Sequence, residues 1–211
     1  MSILQKVKSI TRPKHDLMEK LLGSDRLENF SIEEYELLIS THYIFHSHLE
    51  EKAKEFLSDT DSQKENKKQV EKLNLKEKVK SISLEYELKQ LLVAPHFQKI
   101  KEIPNTISLS NYYSLLGRIY VAEGSMLGGQ MMYRILSQNQ QISAATDFSF
   151  FKNYEMKTPS LWKAFIKLVE EECVSEEKQE LFIEGAEKSY LYFEGAFYKS
   201  ENILNPTDNT H

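Results

Sequence analysis

The sequence predicts an all-α, single-domain multi-helix fold, and three observations carry that expectation. Apolar residues recur at helical spacing through most of the 211 residues, as in Ile32, Tyr35, Leu38, Ile39, Phe45, Leu49, Ala53 and Phe56. Helix-start residues stand ahead of such runs: Ser31 with Glu34, Ser83, Ser110, Thr158 with Pro159, and Ser175. No stretch alternates as a half-buried strand would, and neither a repeat nor a second compositional regime divides the chain. About seven or eight helices are expected, packed around one core. The domain spans residues 1–201, followed by a polar tail at 202–211.

The elements follow in order. Thr11-Arg12-Pro13 opens a helix that runs to Leu22 and stops at Gly23, and the residues ahead of Thr11 are compatible with a preceding turn of the same helix. Ser31-Ile32-Glu33-Glu34 is a capping box for a long second helix. Residues 58–80, rich in Lys and Glu, read as a surface loop followed by a solvated helix. Ser83 caps a helix through Leu92 that Pro95 ends. Ser110 caps a long glycine-containing helix, residues 138–157 read as irregular, Thr158-Pro159 starts another helix, and Ser175 starts the last, through Tyr198.

Composition narrows the function. The net charge of −5 provides no global basic character for nucleic acid or an anionic membrane. A single cysteine, Cys173, rules out an intramolecular disulfide framework and a Cys-cluster metal site. No apolar run approaches the ~20 residues of a membrane span. Residues 1–11 lack the apolar segment of a secretory signal, so a cytoplasmic location is expected.

Two groups of residues could carry chemistry. Gly117, Gly124, Gly128 and Gly129 fall within one predicted helix, where each costs roughly 1 kcal/mol against alanine. At about 100° per residue, Gly117, Gly124 and Gly128 lie within roughly 40° of one another. A face stripped of side chains suits close packing of a second helix or close approach of a flat ligand, and the adjacent pair Gly128-Gly129 favours a kink. Among the six histidines, His15 has Glu19 four residues on. That spacing serves a surface pair, or a metal-ligating imidazole held in one tautomer by the carboxylate. His42, His46 and Glu50 share a second helix face, either as a partly buried face or as a carboxylate-bridged metal site. No phosphate loop, zinc motif or nucleophile elbow is present.

These motifs together resemble the haem oxygenase family over most of the chain. Lys8-Ser9-Ile10-Thr11-Arg12-Pro13-Lys14-His15, with Glu19, resembles the family's N-terminal helix. Tyr43-x-Phe45-x-x-x-Leu49-Glu50-Glu51 resembles its second helix, and Leu84-Glu85-Tyr86-Glu87-Leu88 its Leu-Glu-x-Asp-Leu segment. Tyr120-Val121-Ala122-Glu123-Gly124-Ser125-Met126-Leu127-Gly128-Gly129-Gln130 resembles the distal helix, most closely in bacterial, bacteriophytochrome-associated members.

The resemblance implies haem, sandwiched between a proximal helix and a kinked glycine-rich distal helix, as both substrate and cofactor, with its iron held by His15 and that ligand oriented by Glu19. It implies Gly124, Ser125 and Gly128 at the reacting face. Lys8, Tyr112, Gly129, Lys163, Lys167 and Tyr190 are implied as further haem contacts, the lysines facing the propionates or simply solvent. Tyr113, Phe193 and Phe197 are core or pocket wall.

The implied reaction cleaves haem with O₂ to biliverdin, CO and Fe²⁺. The chain carries no flavin or nicotinamide motif, so electrons come from a separate ferredoxin, flavodoxin or reductase. A homodimer is compatible. Many members carry an aspartate where this chain has Ser125. The distal water then needs another partner, for which His46, Gln130 and Arg118 are candidates. Two other readings remain: haem binding or storage without turnover on the same fold, and a thiaminase-like helical hydrolase that would need Cys173 as a pocket thiol.

Overall fold

The computed structural model describes residues 1–58, 73, 75, 79–152 and 158–206. Among these the chain forms nine α-helices, one 3-10 turn (Leu27–Asn29) and no strand. The loop and solvated helix expected at 58–80, the end of the irregular stretch and the last residues of the tail fall largely outside the described residues.

Helix α1 (Ile3–Leu21) begins earlier than the proline suggested. Ser2 and Gln5 form a capping box, with Gln5 N donating to Ser2 Oγ at 3.3 Å and Ser2 N to Gln5 Oε1 at 3.0 Å. Pro13 therefore lies inside the helix, where it removes one backbone donor without ending the turn. Helix α2 (Ile32–Ser58) starts on the expected box, Glu34 N donating to Ser31 Oγ and Ser31 N to Glu34 Oε2.

Helix α3 (Ser81–Leu91) is capped from outside its own segment. The Glu50 carboxylate of α2 accepts from the backbone N–H of Lys80 (2.6 Å) and Ser81 (3.2 Å) and from Ser81 Oγ. Ser83 is thus the third helical residue, not the cap. Pro95 does not merely stop α3; it sits in the first turn of α4 (Ala94–Lys101), where its missing N–H costs nothing.

Asn111, one residue after the expected Ser110, caps α5 (Tyr112–Leu136) by accepting from Ser114 N at 2.8 Å. Two short helices, α6 (Gln140–Ala145) and α7 (Ser149–Lys152), replace part of the expected irregular stretch. Helix α8 (Thr158–Glu172) and helix α9 (Glu176–Leu204) complete the fold. The Ser175 cap of α9 is as expected, while its end runs past Tyr198 to Leu204.

Helices α5 and α9 form the tightest pair. A Cβ built on Gly117 would lie 1.9 Å from the Phe182 carbonyl oxygen, and one on Gly185 would lie 2.2 Å from that of Ser114. Backbone touches backbone at these two points. One core cluster fills the space between α1, α5, α8 and α9, with Val7, Leu115, Leu116, Val169 and Phe182 at its centre. A second, with Tyr35, Ile39, Leu84, Leu88 and Phe150, joins α2, α3 and α7. Within it Glu87 is fully buried and accepts from Tyr35 Oη, Thr146 Oγ1 (3.1 Å) and Phe150 N (2.9 Å). Burial raises its pKa while those bonds oppose the shift. Lys80 and Glu123 form a second buried polar link, Nζ to Oε1 at 2.5 Å, tying the start of α3 to the middle of α5.

Candidate functional site

A cleft of about 590 Å³ opens between α1 and α5. Its volume falls in the range of small-molecule and cofactor sites. Trp162 and Ile166 of α8, Tyr190 and Phe193 of α9, and His42 of α2 complete the wall.

Helix α1 presents Lys8, Arg12, His15 and Glu19 to the cleft as one stripe at i, i+4, i+7 and i+11. The adjoining stripe, Ile3, Val7, Thr11 and Met18, is buried and holds the helix against the core. His15 remains 46% exposed. Its Nδ1 lies 3.5 Å from Glu19 Oε2 and 3.7 Å from Asp16 Oδ1. Asp16 is itself paired with Arg12 Nε at 2.7 Å. Both carboxylates thus face Nδ1, a geometry that leaves Nε2 for a ligand. Tyr190 meets the His15 ring edge-on at 6.3 Å between centroids, and burial pushes its phenol up to about 12.

The opposite wall is α5, through Val121, Gly124, Ser125, Leu127, Gly128 and Met132. A Cβ on Gly128 would meet nothing within 4 Å, and one on Gly124 only the Trp162 ring, at 3.6 Å. The glycines therefore divide into two kinds. Gly117 serves close packing on α9, whereas Gly124 and Gly128 leave room in the cleft itself. Gly129 faces away, its added Cβ 3.3 Å from Phe151 of α7. The helix is continuous from Tyr112 to Leu136 through both adjacent glycines. Ser125 Oγ donates to Ala122 O at 2.8 Å, so its hydrogen is committed to its own helix while its lone pairs can still accept.

The cleft brings together Lys8, His15, Glu19, Gly124, Ser125, Gly128 and Tyr190. The structure places Tyr112, Gly129, Lys163 and Lys167 elsewhere. Tyr112 is buried beside Tyr113, with Glu172 and Cys173 near its hydroxyl. Lys163 and Lys167 are exposed on α8, the latter 3.8 Å from Glu171. On that helix the cleft-facing stripe is Trp162 and Ile166, one residue back from each lysine.

Of the candidate partners for a water, Arg118 is buried away from the cleft, its Nη2 donating to Ser108 O at 3.3 Å. His46 lies behind His42, ring stacked on ring at 5.7 Å, and does not line the cleft. Gln130 is half-buried and also off the cleft. Cys173 is buried off the cleft, and burial beside Glu172 pushes its thiol up to about 12, which argues against a pocket nucleophile. Glu50 is spent capping α3, so the carboxylate-bridged metal reading of His42, His46 and Glu50 fails. Among the described residues, the cluster of metal-binding side chains is His15, Asp16 and Glu19.

Sequence reasoning missed Arg12, Trp162 and Ile166; of its two readings of His42, the structure agrees with the partly buried face, and adds that the residue lines the cleft. Arg12 was findable, because it shares the Lys8–His15–Glu19 stripe at four-residue spacing.

These features fit a flat iron-bearing ring. An exposed imidazole with a directed tautomer stands on one side, side-chain-free helix on the other, apolar rings between them, and two cations at the edge. A family model described as heme oxygenase matches residues 1–199. The chain belongs to the haem oxygenase family. Solved structures agree on the fold. The haem oxygenase of Neisseria meningitidis, solved with NO and CO bound, is 15% identical with a TM-score of 0.63, over 99% of this chain and 95% of that one. Haem oxygenase-1 of the cyanobacterium Synechocystis, solved in complex with heme, is 14% identical with a TM-score of 0.65, over 97% and 94%. No curated protein sequence matches the chain. Its haem oxygenase fold is all-α, and no described helix is long and apolar enough to cross a membrane.

Proposed function

We propose that this haem oxygenase family member cleaves haem to biliverdin, CO and Fe²⁺, using O₂ and electrons delivered by a separate ferredoxin, flavodoxin or reductase. One juxtaposition carries the reading: the His15–Glu19 pair faces Gly124, Ser125 and Gly128 across a single cleft. Bound haem supplies the redox-active iron and is itself the molecule cleaved.

The chain's own residues divide the remaining work. His15 would hold the iron through Nε2, and Glu19, against Nδ1, would keep Nε2 unprotonated for it. Lys8 and Arg12, one turn apart in the lining of the cleft, would meet the propionate carboxylates. Gly124 and Gly128 let the α5 backbone approach the ring face, limiting the space above it to a small ligand. Trp162, Ile166, Tyr190 and Phe193 exclude bulk water from the ring. Within that dry space Ser125 Oγ can accept a hydrogen bond from a water.

Hemin added to the protein with ascorbate or a ferredoxin system tests the proposal. Turnover removes the Soret band and raises biliverdin absorption in the red. A Soret band that persists under reductant and O₂ makes the protein a haem binder without turnover. His15→Ala removes the axial-histidine spectrum; if that spectrum survives, the ligand assignment is wrong.

A further inference from the structure

Asp16 stands beside the cleft without lining it, yet it touches two residues that do. One of its carboxylate oxygens, Oδ1, lies 2.7 Å from Arg12 Nε and 3.7 Å from His15 Nδ1. The spacing on α1 brings this about. Arg12 and Asp16 are one turn apart, and His15 and Glu19 repeat the same spacing alongside. The imidazole thus has two carboxylates against Nδ1, and one of them, Asp16, is shared with a cation.

As a stabilising contact the Arg12–Asp16 pair is weak. Its side chains are 61% and 49% exposed, and the cation-before-anion order is the less favourable one on a helix. Its consequence lies in its place next to His15. A guanidinium carries five N–H donors, and here Nε–H is directed at Asp16, so those on the terminal nitrogens remain for a second carboxylate. A carboxylate acting on Nδ1 makes an imidazole a stronger metal ligand through the other nitrogen. A cation on that carboxylate offsets its charge. The influence of Asp16 on His15 is therefore set by how far Arg12 neutralises it, and a second anion on Arg12 lessens that neutralisation.

We propose that Asp16 is a positioning residue for His15 and that Arg12 couples it to the ring edge: a propionate held by Arg12 draws charge away from Asp16, and Asp16 then strengthens the axial bond through Nδ1. This rests on the haem-binding reading above. Contact at the ring edge and strength of the iron bond rise together. A haem seated with a propionate on Arg12 is held more firmly by His15 than one seated with its propionates elsewhere.

The test uses the full-length chain in four forms: wild type, Asp16→Asn, Arg12→Gln and the double variant. Each is loaded with hemin or with hemin dimethyl ester, whose propionates carry no charge. A thermal melt of each ligand-free protein establishes folding. The readouts are the iron–histidine stretching frequency of the ferrous complex, by resonance Raman, and hemin affinity by Soret titration. Asp16→Asn is expected to lower the stretch and to weaken hemin binding about tenfold, the lower end for loss of an outer partner of a metal ligand. Arg12→Gln is expected to raise the stretch, because Asp16 is then unopposed, even as the lost propionate contact weakens binding. The double variant should match Asp16→Asn in stretch. In wild type the dimethyl ester should give a lower stretch than hemin, and in Asp16→Asn the two should coincide. An unchanged stretch in a folded Asp16→Asn overturns the proposal. A shift on Arg12→Gln that persists undiminished in the Asp16→Asn background also overturns it, because Arg12 would then act without Asp16. Failure of wild type to bind hemin, or to show an iron–histidine stretch that His15→Ala removes, overturns the reading of the site and this inference with it. A wild-type stretch from His15 that is indifferent to Asp16 overturns the inference alone.

Discussion

Gly117→Ala and Gly128→Ala make the same chemical change about three turns apart on one helix, and the structure assigns them opposite consequences. At position 117 the new methyl would lie 1.9 Å from the Phe182 carbonyl oxygen and 2.7 Å from Ala186 N. Ordinary contact needs about 3.5 Å, so α5 and α9 would have to separate by more than an ångström along their tightest seam. The clashing atoms are backbone and cannot rotate away, which puts the cost at the upper end of the usual 1–3 kcal/mol for overpacking or beyond it. Roughly 1 kcal/mol returns through helix propensity. A net loss of about 2–3 kcal/mol should lower Tm by about 4–12 °C for a chain of this size. At position 128 the methyl meets nothing within 4 Å, so only the propensity gain remains, a rise of about 2–4 °C. That methyl projects toward the cleft, however, and hemin affinity should fall. Circular-dichroism melts of the ligand-free proteins and Soret titrations with hemin read both effects. A Gly117→Ala protein that melts like wild type refutes the backbone contact. A Gly128→Ala protein that binds hemin like wild type refutes the ligand-facing role of the bare surface.

Three further outcomes follow from buried groups. His42 is neutral when folded and has a depressed pKa of about 3, against 6.5 when unfolded. Its contribution is therefore fully present above pH 6.5 and is lost on acidification, by up to about 1.4 kcal/mol per pH unit, down to about pH 3; Tm measured from pH 7 to 4.5 should fall less steeply in His42→Phe. Lys80→Met leaves Glu123 buried without its cation and should cost about 3–5 kcal/mol, most of which the double variant with Glu123→Leu recovers in a denaturant titration. The Cys173 thiol, pushed up to about 12, should not react with a disulfide reagent at pH 8 until guanidinium unfolds the chain.

Helix identity was legible because it depends on local pattern: the apolar spacing of α2, the Ser31–Glu34 box and the Ser175 cap are all local. Boundaries failed where a distant residue intervened. Helix α3 begins at Ser81 because Glu50, thirty positions back on another helix, meets its first N–H groups, and no local pattern around Ser83 reveals that. Pro13 and Pro95 were both read as punctuation; Pro13 instead sits inside a helix nucleated earlier by Ser2, and Pro95 opens one. In the site, the His15–Glu19 pair was legible from spacing, whereas Lys8 came only from the family resemblance and Arg12, on the same stripe, was missed. The assignment of each glycine was not, since Gly117 and Gly128 share a face in projection but meet different neighbours along the axis. The lysines on α8 failed for the same reason: a rotation of one residue turns Trp162 and Ile166 inward and Lys163 and Lys167 outward.

The two walls of the cleft are held in different ways, and this bears on what Glu19 does. His15 and Glu19 are 46% and 54% exposed, so their mutual attraction is screened by water and adds at most about 1 kcal/mol to stability. The pair therefore cannot fix α1 in place; Ile3, Val7, Thr11 and Met18 do that from the buried stripe. What Glu19 can do at such exposure is bias which imidazole nitrogen carries the proton, a choice that matters only once a metal takes the other. The opposite wall needs no such partner, because His42 is clamped by aromatic rings and the α5 backbone is bonded to itself. If His15 holds the iron as proposed, Glu19→Gln should weaken that bond, read as a lowered hemin affinity in a Soret titration, while the Tm of the ligand-free protein stays that of wild type.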